Sequence, residues 1–316
     1  MTGNKSYLLV TGSAGNSVEE EKILSFSFKK DAYTPYTTLT VRAAADSESF
    51  LTASEIKFYV KGILVHHGLI DKLTAEISGG SRILTLISRG FTSLLCQNQI
   101  EPGLKTGVSI NNLMDNFYTF PNVTHEDNAE QSSYIFVKKN TSMWESVVSL
   151  SYKHCGTYPY IRGTNCVRIT PIAEPTAFAY ENEELISIGE VLNGRRLTSH
   201  FHMSDINGEF GEYEFVDPDV TGLGIVRHKF FELDKRFLNE PQDAVAFRDK
   251  YDTRAFKQRF CIYSGYNGED LSDVISFTGV NSERVAAVEI TGGRGGITTK
   301  ISVYYDKFPR SNVSEE

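Results

Sequence analysis

Carboxylate pairs are the side chains of this sequence that come nearest to a catalytic arrangement. Glu183 and Glu184 are adjacent, and Glu212 and Glu214 are two residues apart. Glycoside hydrolysis uses two carboxyl groups that flank the bond to be broken, so a peptidoglycan hydrolase with a β-rich fold is one hypothesis. Neighbouring acids are also common on charged strand faces, and the sequence contains no G-x-S-x-G, HExxH or P-loop motif. We therefore predict no catalytic residue and no cofactor.

A metal site is a second possibility, because His154 adjoins Cys155, with Cys166, His200 and His202 further along the chain. Structural zinc sites usually take their ligands from closely spaced pairs, and the four cysteines form no CxxC pair. We interpret these residues as buried thiols and surface histidines and predict no bound metal. Scattered single cysteines also fit a reducing compartment better than a disulfide framework.

Trp144 is the single tryptophan of the chain and could stack against a sugar in a carbohydrate-binding module. It stands at helical spacing among Val147, Val148 and Leu150, which is more typical of a core position. The glycine run Gly292–Gly296 lacks the Lys-Ser/Thr that binds phosphate, so we interpret it as a hairpin turn, with an RGG-like nucleic-acid contact as the minor alternative.

The net charge of −8 is concentrated in one region. Between Glu174 and Asp219 there are eleven acidic residues and two arginines, a local balance of −9, so the rest of the chain is nearly neutral. Such a region repels phosphate, which argues against sequence-specific binding of nucleic acid. It contains a run of six acids without a base: Asp205, Glu209, Glu212, Glu214, Asp217 and Asp219. An ordinary solvated loop would explain it, while a calcium loop lacks the distal bidentate glutamate.

Length and composition predict two or three folded units. The chain has 316 residues, of which 40% are hydrophobic, enough to bury sizeable cores. No stretch approaches about 18 uninterrupted apolar residues, and the first residues do not resemble a signal peptide, so we expect no membrane partner.

Alternating apolar residues predict strands from residue 5 to residue 100 and again from Leu185 onward. Two helices lie between them. The first runs from about 107 to 120 with Ser109 as N-cap, and the second begins at Thr141 or Ser142 and stops at Gly156. A hairpin with its turn at 163–165 follows. A further helix is predicted from Asn239 to Asp252, with Pro241 near its first turn.

The stretch from Glu55 to Asn98 carries a resemblance to a known family. A strand containing Gly68-Leu69-Ile70 precedes a strand that ends in a short helix, and this junction holds Ser88, Arg89, Thr92 and Leu95. This order resembles the first barrel of phage-tail baseplate hub proteins, the late-control protein D group. The segment from Trp144 to Ile161 is similar to the second domain of such hubs.

The resemblance implies a mixed, mainly β fold with two tube-like β-barrel domains and a small α/β insertion domain between them. It divides the chain into a first barrel at 1–100, the insert at 101–184, a second barrel with an internal helix at 185–308, and a flexible tail at 309–316. Pairing of exposed barrel edges would close a ring. The edge-pairing candidates are Ile56, Phe58, Val60, Ile83 and Ile87.

The implied function is structural rather than enzymatic. A trimeric hub would join a six-fold tail tube to a three-fold central spike, in the baseplate of a virion or tail-like particle assembled in the bacterial cytoplasm. Its partners would be two further copies, the tube protein or tube initiator and the spike, with a tape-measure protein and baseplate wedge as further candidates. In such a ring the acidic run would either line the channel, where negative walls let DNA or an acidic protein slide, or face a basic partner.

Overall fold

The N-terminal part of the protein is built from long antiparallel strands. The computed structural model describes residues 6–12, 17–44, 53–78 and 80–308, and the tail predicted at 309–316 lies outside these ranges. The strands are β1 (Tyr7–Gly12), β2 (Ser17–Glu20), β3 (Ile23–Asp31), β4 (Thr38–Ala44), β5 (Ala53–Val60), β6 (Ile63–Ser78) and β7 (Ser81–Gly90). A 3-10 turn at Phe91–Ser93 and helix α1 (Leu94–Gln97) follow, as the sequence predicted.

Short strands and two capped helices make up the middle of the chain. They are β8 (Gly103–Val108), α2 (Ile110–Phe117), β9 (Thr124–His125), β10 (Ser132–Val137), α3 (Met143–Cys155), β11 (Tyr160–Arg162), β12 (Cys166–Arg168) and β13 (Ala177–Ala179). Ser109 caps α2, and Ser142 caps α3 through a capping box with Glu145. Gly156 ends α3 in the left-handed conformation, at φ 67°, which glycine adopts without strain. Both predicted helices are confirmed.

The C-terminal part contains β14 (Leu185–Leu192), β15 (His200–Met203), β16 (Tyr213–Val216), α4 (Pro218–Gly222), β17 (His228–Phe231), α5 (Pro241–Thr253), β18 (Lys257–Ser264), β19 (Val274–Phe277), β20 (Val280–Gly293) and β21 (Gly296–Tyr305). The glycine run is the hairpin turn between β20 and β21, as predicted. Gly292 is required there because a Cβ would lie 2.0 Å from the ring of Phe26.

One large sheet joins strands from both ends of the sequence. Its order is β14-β18-β21-β20-β3-β4-β7-β6-β5-β1-β2; in addition, β19 pairs with β20, and β13 pairs with β19. The link between the two halves is the antiparallel pair β3 and β20, in which Phe28 lies opposite Ile290. The mainly β fold is confirmed, but no closed barrel is found within the described residues, where the strands assigned to two barrels share one sheet.

The interior consists of two hydrophobic cores. The first lies on the large sheet and contains residues from both halves, including Phe58, Leu86, Ile290 and Ile301. The second is centred on α3 and combines Trp144 and Val147 with Phe201 and Phe247 from β15 and α5. Residues 200–251 therefore pack with the middle of the chain, across the predicted boundary at residue 185, and the boundaries themselves stay a prediction.

The edge-pairing residues do not lie at an edge. β5 is paired on both sides, with β1 and β6, and β7 is paired with β4 and β6. Ile56, Phe58 and Val60 are 0% exposed and belong to the first core. Alternation correctly indicated strands, but interior and edge strands alternate alike, so the prediction of a free edge here was wrong.

The family-like junction is a packing joint. Gly68 lies opposite Gly90 in the β6–β7 pair, and a Cβ on Gly68 would lie 2.2 Å from the carbonyl oxygen of Arg89. Ser88 is buried and hydrogen-bonds the ring of His66 at 2.7 Å. Asn165, from the 163–165 turn, donates to the carbonyl of His67 at 2.9 Å. The motif thus connects the large sheet to the middle of the chain.

Candidate interaction surface

A three-stranded sheet carries most of the acidic run. β15 is its central strand, with β16 antiparallel on one side and β17 parallel on the other. Phe201 and Met203 are fully buried against the second core, so the alternate residues of β15 face outward. Because β15 and β17 run in the same direction, the residues before both strands meet at one end of the sheet, and the residues after them meet at the other.

Carboxylates gather at the end where β15 and β17 finish. Asp205 follows β15, Glu209 and Glu212 lie in the loop to β16, and Glu232 follows β17. Asp205 shapes this loop, since its carboxylate accepts hydrogen bonds from the backbone of Glu209 and Asn207, both at 2.8 Å, and the former lowers its pKa. Within the described residues Glu209, Glu212 and Glu232 form no ion pair, and all three are exposed. We call these four residues the acidic end.

Cations gather at the opposite end, where β15 and β17 begin. They line an open cleft of about 580 Å³ and comprise Arg195, Arg196, Arg227, Lys229 and Arg254, which we call the basic end. Arg227 is held in place because its guanidinium donates to the carbonyls of Gly194, Arg195 and Leu197 at 3.0 to 3.1 Å.

Two other basic-end side chains are also engaged. Lys229 pairs with Asp252 at 2.6 Å, and the Arg254 guanidinium lies 3.4 Å from the centre of the Tyr251 ring. Arg195 and Arg196 are exposed and form no ion pair in the described part of the chain. The cleft therefore offers two uncompensated guanidinium groups on a fixed frame.

The outer face between the two ends is aromatic and partly apolar. His202 stacks on Phe230 with ring centres 4.3 Å apart, and Phe210 meets Phe230 edge-on at 5.4 Å. His202 also hydrogen-bonds Glu214 at 2.9 Å and His228 at 3.0 Å. Phe230 is 63% exposed. An exposed aromatic face with charged ends is typical of a protein-binding surface.

Folding divides the six predicted acids among four environments. Asp205, Glu209 and Glu212 lie at the acidic end, Glu214 is on the outer face, and Asp219 is exposed in α4, at the basic end. Asp217 is 0% exposed. It caps α4 and accepts a hydrogen bond from Lys307 at 2.9 Å, which together with other contacts lowers its pKa despite burial. A buried carboxylate cannot face a channel or a partner, so Asp217 leaves the candidate set.

In the described ranges, no group of three or more His, Cys, Asp or Glu side chains is arranged so that it could hold a metal ion. His154 lies near Glu130, and burial raises the pKa of the Cys155 thiol to about 11, which keeps it neutral. Trp144 is 5% exposed in the second core, so its interpretation as a core residue is confirmed. No described helix is both long and apolar enough to cross a membrane.

Sequence reasoning missed the basic end. Its side chains come from three separate segments, at 195–196, 227–229 and 254, of which the first lies inside the acidic region. No local excess of Lys or Arg marks them. The available signal was the pair Arg195-Arg196, the only bases in a stretch of strongly negative charge.

Comparisons with known proteins concern the fold. No protein-family model matches the chain, and no curated protein matches it by sequence. Among solved structures, the tail protein from Neisseria meningitidis has a TM-score of 0.71 at 12% identity, over 96% of this chain and 98% of that one. The 43 kDa tail protein of prophage MuSo2 from Shewanella oneidensis has a TM-score of 0.69 at 11% identity, over 94% of this chain and 98% of that one.

A third similar structure comes from a secretion system. It is an Escherichia coli component of the type VI secretion system that is described as similar to the T4 bacteriophage tail proteins gp27 and gp5. Its TM-score is 0.55 at 7% identity, over 93% of this chain and 76% of that one. The resemblance predicted from the sequence is confirmed at the level of the fold, which is that of phage tail and type VI secretion tail proteins.

Proposed function

We propose that this chain, which shares its fold with phage tail proteins over nearly its whole length, is the structural hub of a baseplate. Three copies form a ring that joins a six-fold tail tube to a three-fold central spike, in a phage tail or tail-like particle assembled in the bacterial cytoplasm. The observation that carries the proposal is the match to two tail proteins over 98% of their own chains.

The two halves of the large sheet support the proposal that a three-fold ring of this chain joins a six-fold tube. β1 to β7 make one half and β14 with β18 to β21 the other, and they join at β3 and β20. Each half acts as one tube-like unit, so three copies present six such units to the tube. In this proposal the two-barrel organisation forms only in the ring, where the open sheet edges of one copy pair with those of the neighbouring copies.

Three strands of the large sheet have a single neighbouring strand within the described residues: β14 beside β18, β2 beside β1, and the short β13 beside β19. β14 and β2 are the two ends of the main strand order, and they are the edges that we assign to ring closure. β14 exposes large apolar side chains, since Ile186 is 60% exposed, Ile188 41% and Leu192 66%. A free apolar edge strand favours pairing with another chain. β14 and β2 therefore replace the interior strands first assigned to ring closure.

The similar structures support the choice of partners. One is described as similar to gp27 and gp5, and another comes from a structure of a PdpA–VgrG complex. From these, we assign to this chain a spike on one side and a tube protein or tube initiator on the other. The proposed role is not enzymatic, and the hydrolase and carbohydrate-binding alternatives have no support from these structures.

The test of this proposal is the stoichiometry of the chain in its assembled particle. A particle reconstruction by cryo-electron microscopy should show three copies between tube and spike. The double variant Ile186→Lys, Ile188→Lys should prevent ring formation, because two charges on an edge strand oppose pairing. The matched control is Leu104→Lys on β8, where Leu104 is 59% exposed outside the large sheet, and it should assemble normally. A single copy per particle, or turnover of peptidoglycan by the wild type, would refute the hub.

A further inference from the structure

We infer that the acidic end of one copy docks into the basic end of the next copy, so that the three-stranded sheet supplies a head-to-tail contact within the ring. This inference rests on the proposed trimer and names a surface that forms it. The occupant of the cleft is thus a second copy of this chain, through Glu209 and Glu212 of its β15–β16 loop.

The two ends have opposite charge and belong to one rigid element. Five residue steps separate Ser199 from Ser204 along β15, which corresponds to roughly 16 Å in an extended strand. Hydrogen bonds to β17 fix both ends, from Ser199 N to the carbonyl of Arg227 at 3.2 Å and from Ser204 N to the carbonyl of Phe231 at 3.0 Å. Because the two ends lie at opposite ends of the strand, docking of the acidic end of one copy into the basic end of the next joins two different surfaces. Such a head-to-tail contact generates a ring when its rotation closes.

The groups without an ion pair at the two ends are complementary in charge. The acidic end offers exposed carboxylates that form no ion pair in the described ranges, and the basic end offers Arg195 and Arg196 in the same condition. Arginine binds a carboxylate through two parallel hydrogen bonds. The backbone at Arg195 is already fixed, because Arg227 donates to the carbonyls of Gly194 and Arg195. Each copy therefore carries both halves of a complementary contact that it cannot form with itself, since the halves face opposite directions.

Exposed apolar side chains beside the two ends supply the apolar part of the contact. Phe230 and Phe210, next to the acidic end, are 63% and 49% exposed, and Val226, next to the basic end, is 67% exposed. Charges at the rim of an interface mainly set register and rate of association, whereas buried aromatic groups contribute most of the affinity. The basic end also continues directly from β14, because Arg195 follows that strand by three residues. The cleft is thus contiguous with the free sheet edge assigned above to ring closure.

The inference selects one of the two interpretations of the acidic run. If the acids lined the channel, their partner would be moving cargo, and their replacement would leave the association of copies unchanged. If they dock on a neighbouring copy, reversal of either end must weaken association, and reversal of both ends in one chain must restore it.

The experiment uses charge reversal of the full-length chain, followed by sedimentation velocity at low and high ionic strength. One variant carries Glu209→Lys with Glu212→Lys, a second carries Arg195→Glu with Arg196→Glu, and a third carries all four changes. Either two-residue variant should weaken trimer formation roughly 100-fold, because like charges then meet at every contact. The third variant should regain wild-type association. The control, Glu101→Lys with Glu130→Lys, makes the same charge change as the first variant at exposed positions outside both the three-stranded sheet and β14.

A further variant separates charge from apolar contact. Phe230→Ala should weaken association while leaving its dependence on salt unchanged. The two-residue reversals should invert that dependence, because added salt then screens a repulsion instead of an attraction. The inference is overturned if the reversals leave the trimer intact, if the four-residue variant fails to restore it, or if the wild-type chain stays monomeric at hundreds of micromolar in low salt. Three copies in the assembled particle would still support the hub in each of these cases, so the two proposals fail separately.

Discussion

Acid destabilisation should depend on one buried histidine. His66 on β6 is 0% exposed and lies between two hydroxyl groups, Thr37 Oγ1 at 2.8 Å from Nδ1 and Ser88 Oγ at 2.7 Å from Nε2. Its ring also meets Phe28 edge-on at 6.3 Å. Burial, with a smaller effect from neighbouring His67, lowers the pKa of His66 from 6.5 to about 3. The imidazole is therefore neutral in the folded protein at all moderate pH values.

The size of the effect follows from this shift. In the unfolded chain His66 binds a proton as the pH falls below about 6.5, whereas in the folded protein it does so only near pH 3. Its contribution to stability is thus fully present above pH 6.5 and is lost as the pH falls towards 3. Each pKa unit corresponds to about 1.4 kcal/mol, which gives a ceiling of about 5 kcal/mol, of which about 2 kcal/mol is lost at pH 5.

The variant His66→Gln removes the titrating group and keeps an amide that can hydrogen-bond to one of the hydroxyls. We expect the free energy of unfolding, measured by urea denaturation, to fall by about 2 kcal/mol less between pH 7.5 and pH 5 in this variant than in the wild type. His66→Asn provides a second test with a shorter amide.

The control is His125→Gln on β9, which leaves His66 in place and should retain the wild-type difference between the two pH values. Other groups titrate in the same range, but they contribute equally to the wild type and to the His66 variants and cancel in the comparison. Equal acid losses in the wild type and both His66 variants would refute the assignment of a neutral, buried imidazole.

Three further predictions concern the cores. Trp144→Ala should lower the free energy of unfolding by about 3–5 kcal/mol in urea denaturation, whereas loss of sugar binding at unchanged stability would contradict its place in the core. Gly68→Ala should lower the free energy of unfolding by about 1–3 kcal/mol or more, because its Cβ would meet the Arg89 carbonyl. Gly222→Ala is the control and should lower it far less, since Gly222 has open space around it. Equal losses in the two variants would contradict the close packing at Gly68. Burial raises the pKa of Asp249 to about 6, so the protein loses stability as the pH rises through 6 and this buried carboxyl group ionises. Asn cannot ionise, so the free energy of unfolding of Asp249→Asn, relative to that of the wild type, should rise by up to ~3 kcal/mol between pH 4 and pH 8. A difference between the two proteins that does not change with pH would exclude this ionisation.

Local signals in the sequence predicted local structure well. Ser142 with Glu145 marked the start of α3, Gly156 marked its end, and the glycines near residue 292 marked a hairpin. These features depend on hydrogen bonds and backbone conformations within a few residues, which the sequence specifies directly. The loose hub-like pattern around Gly68 also indicated the family of folds, and that glycine is required because β6 and β7 approach closely at Arg89.

The sequence did not predict which strands pair with each other. Alternation predicts that Ile56 and Phe58 lie on one face, but it gives no information on how many neighbours a strand has. β5 proved to be interior, and the main strand order of the described residues ends at β14 and β2. The pair β3 and β20 joins segments more than 250 residues apart, as in Phe28 opposite Ile290. Contacts at such separation depend on how all intervening elements pack, so one shared sheet could not be told from two barrels.

The distribution of charge shows most clearly what the sequence determines and what only the tertiary structure decides. The sequence by itself determined that negative charge is concentrated between Glu174 and Asp219 and that a long alternating pattern builds a mainly β fold. Only the tertiary structure decided that Asp217 is buried against Lys307, that Glu209 and Glu212 lie at one end of a small sheet, and that Arg227 and Arg254 join Arg195 at the other. The physical reason is that composition fixes the total charge of a segment, whereas the direction of each strand fixes the end at which each charge appears, and that direction is set by pairing with distant residues.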